Sequence, residues 1–483
     1  MKICTWARSI GHHARDVLRL LFIALLALLI IVPNCSGGDE GAGEDGSALT
    51  GALAGSSLVL VVADSLHATH LGTYGSARDT SPFIDRLAGR GVRVDRALSQ
   101  TSWTLSSITS LFTGLAQERH GVLRLQERLA EDGPTTLAEL FRRKGYRTVG
   151  LVQNAVVGEE SGLGRGFDRY TYHRFTHEGG EELVNDAARE LAADDGPLFL
   201  YVHFGPPHMP YQPPEPFLSR FLGDAESAIT GSINDTATIT RDKLAPTHPD
   251  VRRLVELYDG HIAYFDDLLQ RMVEPALSSP EGVGPAVLVT SDHGEAFMQH
   301  GAVGHNYFVY EPMVRVPWIL VAPGAVPEGV VLPGPTSLLD TLPTLADLFD
   351  LPLPGSRLDG RSLAASFERP EPVEDRALHL SSRYGKEAGN EQLALVEGRW
   401  KLVVGKRDTP GLFDITEDPE EQFDLADRDP ERVAEMLARL EEQRAAAADA
   451  NATAGEASMS DARKRDLEAL GYGGEAFESV EDR

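Results

Sequence analysis

Cysteine is almost absent from this chain of 483 residues: Cys4 and Cys35 are the only two, and both lie near the N-terminus. No disulfide can brace the body of the protein, and no cysteine nucleophile or thiolate ligand exists beyond residue 35. Basic residues are also scarce, 45 Lys and Arg against 73 Asp and Glu, for a formal net charge of -28. That balance excludes the basic patches that nucleic-acid binders carry. It also makes a bound cation more important for any anionic substrate. The apolar stretch Leu20–Val32 covers 13 residues, too short for a comfortable membrane-spanning helix. What remains is ordinary for a globular protein, 42% hydrophobic and 24% charged residues. The length allows one large α/β domain and a smaller one.

The first residues read as a targeting segment. Arg8, Arg15 and Arg19 precede the apolar stretch, Cys35 follows it, and residues 36–47 are rich in Gly, Asp and Glu. The segment resembles a bacterial lipoprotein signal with Cys35 as the lipidated first residue of the mature protein. Val32-Pro33-Asn34 departs from the usual small-residue approach to that cysteine, so cleaved secretion and an uncleaved anchor stay open. All three readings place the body outside the cytoplasm, the first on the periplasmic or cell-surface side.

Leu58–Ala63 is an unbroken apolar run ending at Asp64, as expected of a buried strand that delivers a polar residue at its carboxyl end. Similar runs recur at Thr148–Val152, Leu198–Val202, Ala286–Thr290 and Trp318–Val321. Helical patterns separate them at Ser81–Gly89, Thr136–Lys144, Glu181–Ala193, Val251–Val273 and Leu338–Phe349. The alternation predicts an α/β fold, a mostly parallel sheet with helices on both faces. Residues 222–250 show no period and read as a surface loop. A second unit begins near 375, with Arg399–Val404 as a strand and Pro430–Ala448 as an amphipathic helix.

Two segments carry chemistry. Thr104-Leu-Ser-Ser-Ile-Thr-Ser-Leu-Phe-Thr-Gly114 sets a hydroxyl at the start of a helix, where free backbone N–H groups can hold an anion. Val287-Leu-Val-Thr-Ser-Asp292-His293-Gly-Glu delivers a carboxylate and an imidazole at the end of a strand. His293, His300 and His305 fall within 13 residues, too many at a strand end for core packing. Trp103 reads as packing, and Asp266-Asp267 as a solvated helix face. Asp340, Asp347 and Asp350 carry no assigned chemistry.

Taken in order, these segments resemble the sulfatase family, a branch of the alkaline phosphatase superfamily. The resemblance runs through Leu60–Asp64, Thr73-Tyr-Gly, Thr80–Asp85, Ser102–Gly114, His203 with Pro207-His208 and Pro210-Tyr211, Tyr258-Asp-Gly, Ser291–Gly294 and Arg315-Val-Pro. Trp400-Lys401, Asp418-Pro419-x-Glu421 and Leu470-Gly-Tyr472 continue it. The resemblance implies an alkaline-phosphatase-like sheet domain over 56–370 and a small C-terminal α+β subdomain over 371–448. A signal segment (1–35) and a flexible linker (36–55) would precede these, and an acidic tail (449–483) would follow. It implies one divalent metal ion, Mn, Ca, Mg or Zn, held by Asp64, Thr104, Asp292 and His293, ligands suited to such cations. Thr104 would be the nucleophile, with His208 and His305 as catalytic partners and His203, His300 and Asn154 as substrate-binding residues. The partners implied are an anionic ester and, through the N-terminal lipid or anchor, a membrane.

The chain departs from the sulfatase pattern in a consistent direction. Thr104 stands where sulfatases carry a cysteine converted to an aldehyde hydrate, and Ser106 and Ile108 replace the Pro and Arg of that motif. Gly150-Leu-Val-Gln-Asn154 occupies the place of a Gly-Lys-Trp-His run, His305 that of a lysine, and Ser65 that of a second aspartate. These changes resemble threonine-nucleophile relatives that hydrolyse or transfer phosphate and phosphonate esters. A sulfatase acting through threonine and an inactive surface binding protein are the competing readings.

Overall fold

The computed structural model describes residues 47–472, apart from 194, 224–225, 279–283, 307, 354, 356, 372–375, 383–390, 406–408, 449–453 and 457–459. The expected signal segment lies outside the described residues. Among them, no helix is long and apolar enough to cross a membrane.

Eight strands form the central sheet: β1 (Leu58–Asp64), β2 (Val92–Val94), β3 (Arg147–Val152), β4 (Arg169–Tyr172), β5 (Leu198–Pro207), β6 (Ala286–Ser291), β7 (Trp318–Val321) and β8 (Val330–Leu332). Their order is β8-β2-β7-β6-β1-β5-β3-β4. Only β7 runs against its neighbours, so the expected mostly parallel sheet is observed. β1 lies near the middle, with Val61 opposite Val202 on one side and Val289 on the other. Both its faces are covered. Leu58, Leu60 and Val62 join Trp103, Phe112 and Phe199, whereas Val59, Val61 and Ala63 join Phe83, Leu254 and Phe265. Double burial explains the continuous apolar run, each such side chain contributing about 2 kcal/mol on leaving water.

The helices include α1 (Pro82–Gly89), α2 (Thr104–Thr113), α3 (Leu137–Arg143), α4 (His177–Ala192), α5 (Ile233–Arg241), α6 (Pro249–Leu277) and α7 (Thr341–Phe349). α5 corrects the expectation of a structureless loop over 222–250. A capping box starts it, Asp235 N–H donating to Ser232 Oγ at 3.3 Å and Ser232 N–H to the Asp235 carboxylate at 3.0 Å. Asp266 is a second correction. It is buried and accepts from the N–H groups of Phe83 and Ile84 at 2.9 and 2.8 Å, satisfying first-turn donors of α1. Burial pushes its carboxyl up to about 7. Asp267 does face solvent and pairs with Arg271 at 2.9 Å.

The C-terminal unit is a four-stranded antiparallel sheet, β9 (Ala377–Ser382), β10 (Gln392–Glu397), β11 (Trp400–Gly405) and β12 (Gly411–Asp414). One face packs on Leu98, Val309 and Val314, and the other takes Met436 and Leu440 of α8 (Pro430–Ala448). The stretch expected as an acidic tail is not one throughout. It contains α9 (Asp461–Ala469), and Leu467, Leu470 and Tyr472 are buried in the main core. Most charges of α9 lie outward, Arg463 excepted, while those three apolar and aromatic residues face inward, so composition hid the packing.

Candidate active site

The carboxyl ends of β1, β5 and β6 converge, which is where open parallel sheets place their sites. Asp64 is the last residue of β1, and Asp292 and His293 follow β6 directly. Between them Ser65 turns the chain with φ +64°, the left-handed region that non-glycine residues rarely occupy. Its N–H donates to Asp292 Oδ1 at 3.0 Å, and its carbonyl accepts from the Tyr258 hydroxyl at 2.6 Å. Ser291 Oγ donates to the Ala63 carbonyl at 2.7 Å and accepts from Leu66 N–H at 2.8 Å, stitching the two strand ends together.

α2 brings the hydroxyl. Trp103 precedes it in extended conformation, Thr104 is its first residue, and all ten residues are buried. Ser107 Oγ donates to the Asp292 carbonyl at 2.6 Å, tying the helix start to the β6 loop. Thr104 Oγ1 then sits 3.2 Å from His293 Nε2. The His293 Nδ1 lies 3.0 Å from the Gly294 carbonyl, which fixes Nδ1 as the protonated nitrogen and leaves Nε2 as a ligand atom.

Asp64, Asp292 and His293 each offer one ligand atom, all within 4.8 Å of one another. Asp292 Oδ1 accepts from Ser65 and His293 N–H groups, but its buried Oδ2 has no hydrogen-bond partner. An orphaned carboxylate oxygen beside a second carboxylate is costly unless a cation joins them. The residues therefore fit a divalent ion, with Thr104 Oγ1 as a further oxygen beside His293. Burial pushes the Asp64 carboxyl up, but the imidazoles of His208, His203 and His293 more than reverse this and hold it well below the usual carboxylate range. Burial pushes the His293 imidazole down, keeping it neutral as a ligand must be.

Three expected residues surround these ligands. Asn154 Nδ2 donates to Asp64 Oδ2 while its Oδ1 accepts from Val156 N–H at 2.7 Å. His203 lies between the Tyr201 hydroxyl (2.8 Å from Nδ1) and Asp64 Oδ2 (3.2 Å from Nε2). Both groups hold Asp64 from behind. The His305 ring lies 4.3 Å from that of His293 and 4.9 Å from that of His208. His300 is not brought to this cluster. The hairpin formed by Ala296–Phe297 and Val303–Gly304 puts His300 at its tip, stacked on Tyr310 and 2.9 Å from the Glu420 carbonyl, and returns His305 to the centre.

Sequence reasoning passed over two further residues. Glu295 is fully buried, and burial pushes its carboxyl up to about 7; its Oε1 is 3.0 Å from His305 Nδ1. Burial pushes His305 itself down to about 3. Tyr472 places its hydroxyl 3.4 Å from His208 Nε2 and 3.3 Å from His305 Nε2. Both lay inside motifs already singled out, Asp292-His-Gly-Glu295 and Leu470-Gly-Tyr472, yet only three-dimensional proximity gives them a task. From Asp64 to Tyr472, no residue of the cluster is more than 3% exposed.

A sulfatase family model matches residues 56–351. The choline-sulfatase of Rhizobium meliloti (strain 1021) is 35% identical over 187 residues, 38% of this chain and 35% of that protein's length. The arylsulfatase of Clostridium perfringens (strain 13 / Type A) is 23% identical over 445 residues, spanning 76% of this chain and 89% of that protein. Among solved structures, the phosphonate monoester hydrolase of Agrobacterium radiobacter superposes with a TM-score of 0.66 at 21% identity, covering 81% of this chain and 96% of the other.

Proposed function

The chain belongs to the sulfatase family, and from that premise we propose that it hydrolyses or transfers phosphate or phosphonate esters through Thr104. The observation that carries this reading is the Thr104 hydroxyl, buried at the start of α2 and 3.2 Å from His293 Nε2, in a chain with no cysteine after residue 35. When bound between Asp64, Asp292 and His293, a divalent ion lowers the hydroxyl pKa and neutralises charge on the ester oxygens. Thr104 Oγ1 attacks phosphorus as its proton passes to a water that enters the buried site with the ester. The new O–P bond forms as the bond to the leaving oxygen breaks, and that oxygen takes a proton from His208 or His305. Water or an alcohol then attacks the phosphothreonine and returns its proton to that imidazole, the Oγ1–P bond breaks, and Oγ1 regains a proton from water. Asn154 and His203 keep Asp64 in place throughout.

The second reading is a sulfate ester hydrolase using the same residues, favoured by the 35% identity to a choline-sulfatase. The test follows nitrophenol release from an aryl sulfate, a phosphate monoester, a phosphate diester and a phosphonate ester, with Mn, Ca, Mg or Zn supplied. The expected result is metal-dependent turnover of a phosphorus ester, reduced about a thousandfold or more in Thr104→Ala. Turnover of sulfate alone replaces the first reading by the second. Full activity in Thr104→Ala overturns both. The resemblance of residues 1–35 to a lipoprotein signal supports an exported enzyme tethered at a membrane surface. Labelling by radioactive palmitate that is lost in Cys35→Ser tests this.

A further inference from the structure

A cavity of about 460 Å³ lies where the turn after β1 and the stretch before β7 meet the loop that follows β12. Arg315, His67 and Thr69 line it from the catalytic domain, and Glu417, Glu420 and Phe423 line it from the C-terminal unit. None of Asp64, Thr104, Asp292, His293, His208 or His305 is among its lining residues.

Arg315 is the unusual member. It is only 9% exposed, yet among the described residues no carboxylate forms an ion pair with it. Its Nη2 donates to the Asp95 carbonyl at 3.0 Å, and its Nε is buried without a hydrogen-bond partner. The carboxylates whose charge it feels are committed to other cations, Glu311 to Arg96 at 2.6 Å and Asp95 to Arg93 at 3.1 Å. A guanidinium does not shed its charge, and a buried cation without a counter-charge is costly. The guanidinium fork also matches an oxyanion better than any other side chain.

Two further groups fit the same ligand. His67 is buried, and its Nδ1 lies 3.1 Å from Thr69 Oγ1, so an imidazole and a hydroxyl join the guanidinium in the lining. The acidic residues at the mouth oppose an anion only weakly. Glu417 and Glu420 are exposed and screened by water, and Glu417 already lies 3.5 Å from Arg399. We propose that this cavity binds a small oxyanion, phosphate or sulfate, on Arg315, His67 and Thr69, at a site separate from the catalytic cluster. Such a site would exist whichever ester the enzyme cleaves.

The experiment dialyses metal-free full-length protein against radioactive phosphate and, separately, sulfate, with chloride holding the ionic strength constant. The expected result is saturable binding of one or both ions, and a thermal midpoint raised by that ion but not by chloride. Arg315→Met should weaken binding about tenfold or more. Glu420→Lys, at an exposed position on the mouth, should tighten it about threefold or more, a gain that misfolding cannot produce. Asp292→Asn removes a negative charge from the catalytic cluster and should leave the affinity within about twofold, whereas an ion held in that cluster would bind more tightly. No binding to the unaltered protein, full affinity in a folded Arg315→Met, or an affinity that follows Asp292→Asn rather than Glu420→Lys overturns the proposal. If Arg315→Met does not fold, the contrast between Glu420→Lys and Asp292→Asn decides alone.

Discussion

Two of the groups of buried charge among the described residues are built on opposite principles. Where the C-terminal sheet meets the catalytic domain, Lys401 pairs with Glu421 at 2.9 Å and approaches Glu311 at 3.7 Å, while Arg96 pairs with Glu311 at 2.6 Å. Two cations face two carboxylates, so the group is compensated from within. At the carboxyl end of the central sheet, Asp64 and Asp292 form ion pairs only with imidazoles, and among the described residues no lysine or arginine pairs with either. That group is complete only with something the chain does not supply. Buried charge is thus a structural strut in one place and a binding site in the other. The distinction lies in whether positive charge is already present.

The largest effect should come from unbalancing the strut. Lys401→Met leaves Glu421 buried without its cation and should cost about 3–5 kcal/mol of unfolding free energy, read by denaturant titration. A pH series sharpens the point. Burial, aided by the negative charge of Glu311, pushes the Glu421 carboxyl up to about 7. A carboxyl raised in the folded state contributes stability that is present below its unfolded pKa of about 4.3 and lost as pH rises through 7. Removing Lys401 raises Glu421 further, so the deficit of the variant should be wider at pH 8 than at pH 5. An equal deficit at both would mean that packing, not charge, is what Lys401 provides.

The site should respond in the opposite sense. In Asp292→Asn the amide keeps Oδ1 for the Ser65 and His293 donors while removing one of two uncompensated charges. Metal-free protein should therefore be no less stable than the unaltered chain. Added divalent ion at about a hundred times its Kd should stabilise the unaltered protein by about 2.7 kcal/mol, and Asp292→Asn should lose most of that gain. Thermal unfolding with and without chelator measures both. A metal-free variant that unfolds as readily as Lys401→Met would erase the contrast between the two groups.

The sequence made these groups unequally visible, for reasons that follow from distance along the chain. Asp64, Thr104, Asp292 and His293 each close or follow an apolar run or open a helix, so local pattern alone marked them. The doubly covered strands were equally plain, since β1 offers no polar residue before Asp64. Lys401 and Glu421 fall in runs that carry the family resemblance, but their pairing left no trace, because Arg96, Glu311, Lys401 and Glu421 are scattered over more than three hundred residues. Asp266 misled in the same way: its partners are backbone N–H groups of Phe83 and Ile84, which no side-chain pattern records. His300 erred in the other direction. It shares the histidine-rich stretch, but a hairpin with Gly301 at φ +79° carries it to Tyr310 instead. Tyr472 was visible in the Leu470-Gly-Tyr472 run, but its place beside His208 and His305 was not, because that contact spans more than 160 residues.

The smallest effect tests whether the site also stores backbone strain, which the strut region does at Glu421 with φ +54°. Ser65 holds φ +64° between the two metal-ligand strands and keeps only weak side-chain contacts, 3.2 Å to Asp64 Oδ1 and 3.5 Å to His305 Nδ1. Glycine adopts this conformation without steric cost, although it gives the unfolded chain more freedom. The two terms oppose each other, so Ser65→Gly should change stability by less than about 1 kcal/mol. Ser65→Val places a branched side chain in the same backbone region and should lose about 2 kcal/mol or more. If both variants lose alike, the hydroxyl rather than the backbone is what the position requires. If only valine is penalised, Ser65 serves as the turn that aims Asp64 at Asp292, and the strain belongs to the geometry of the ligands.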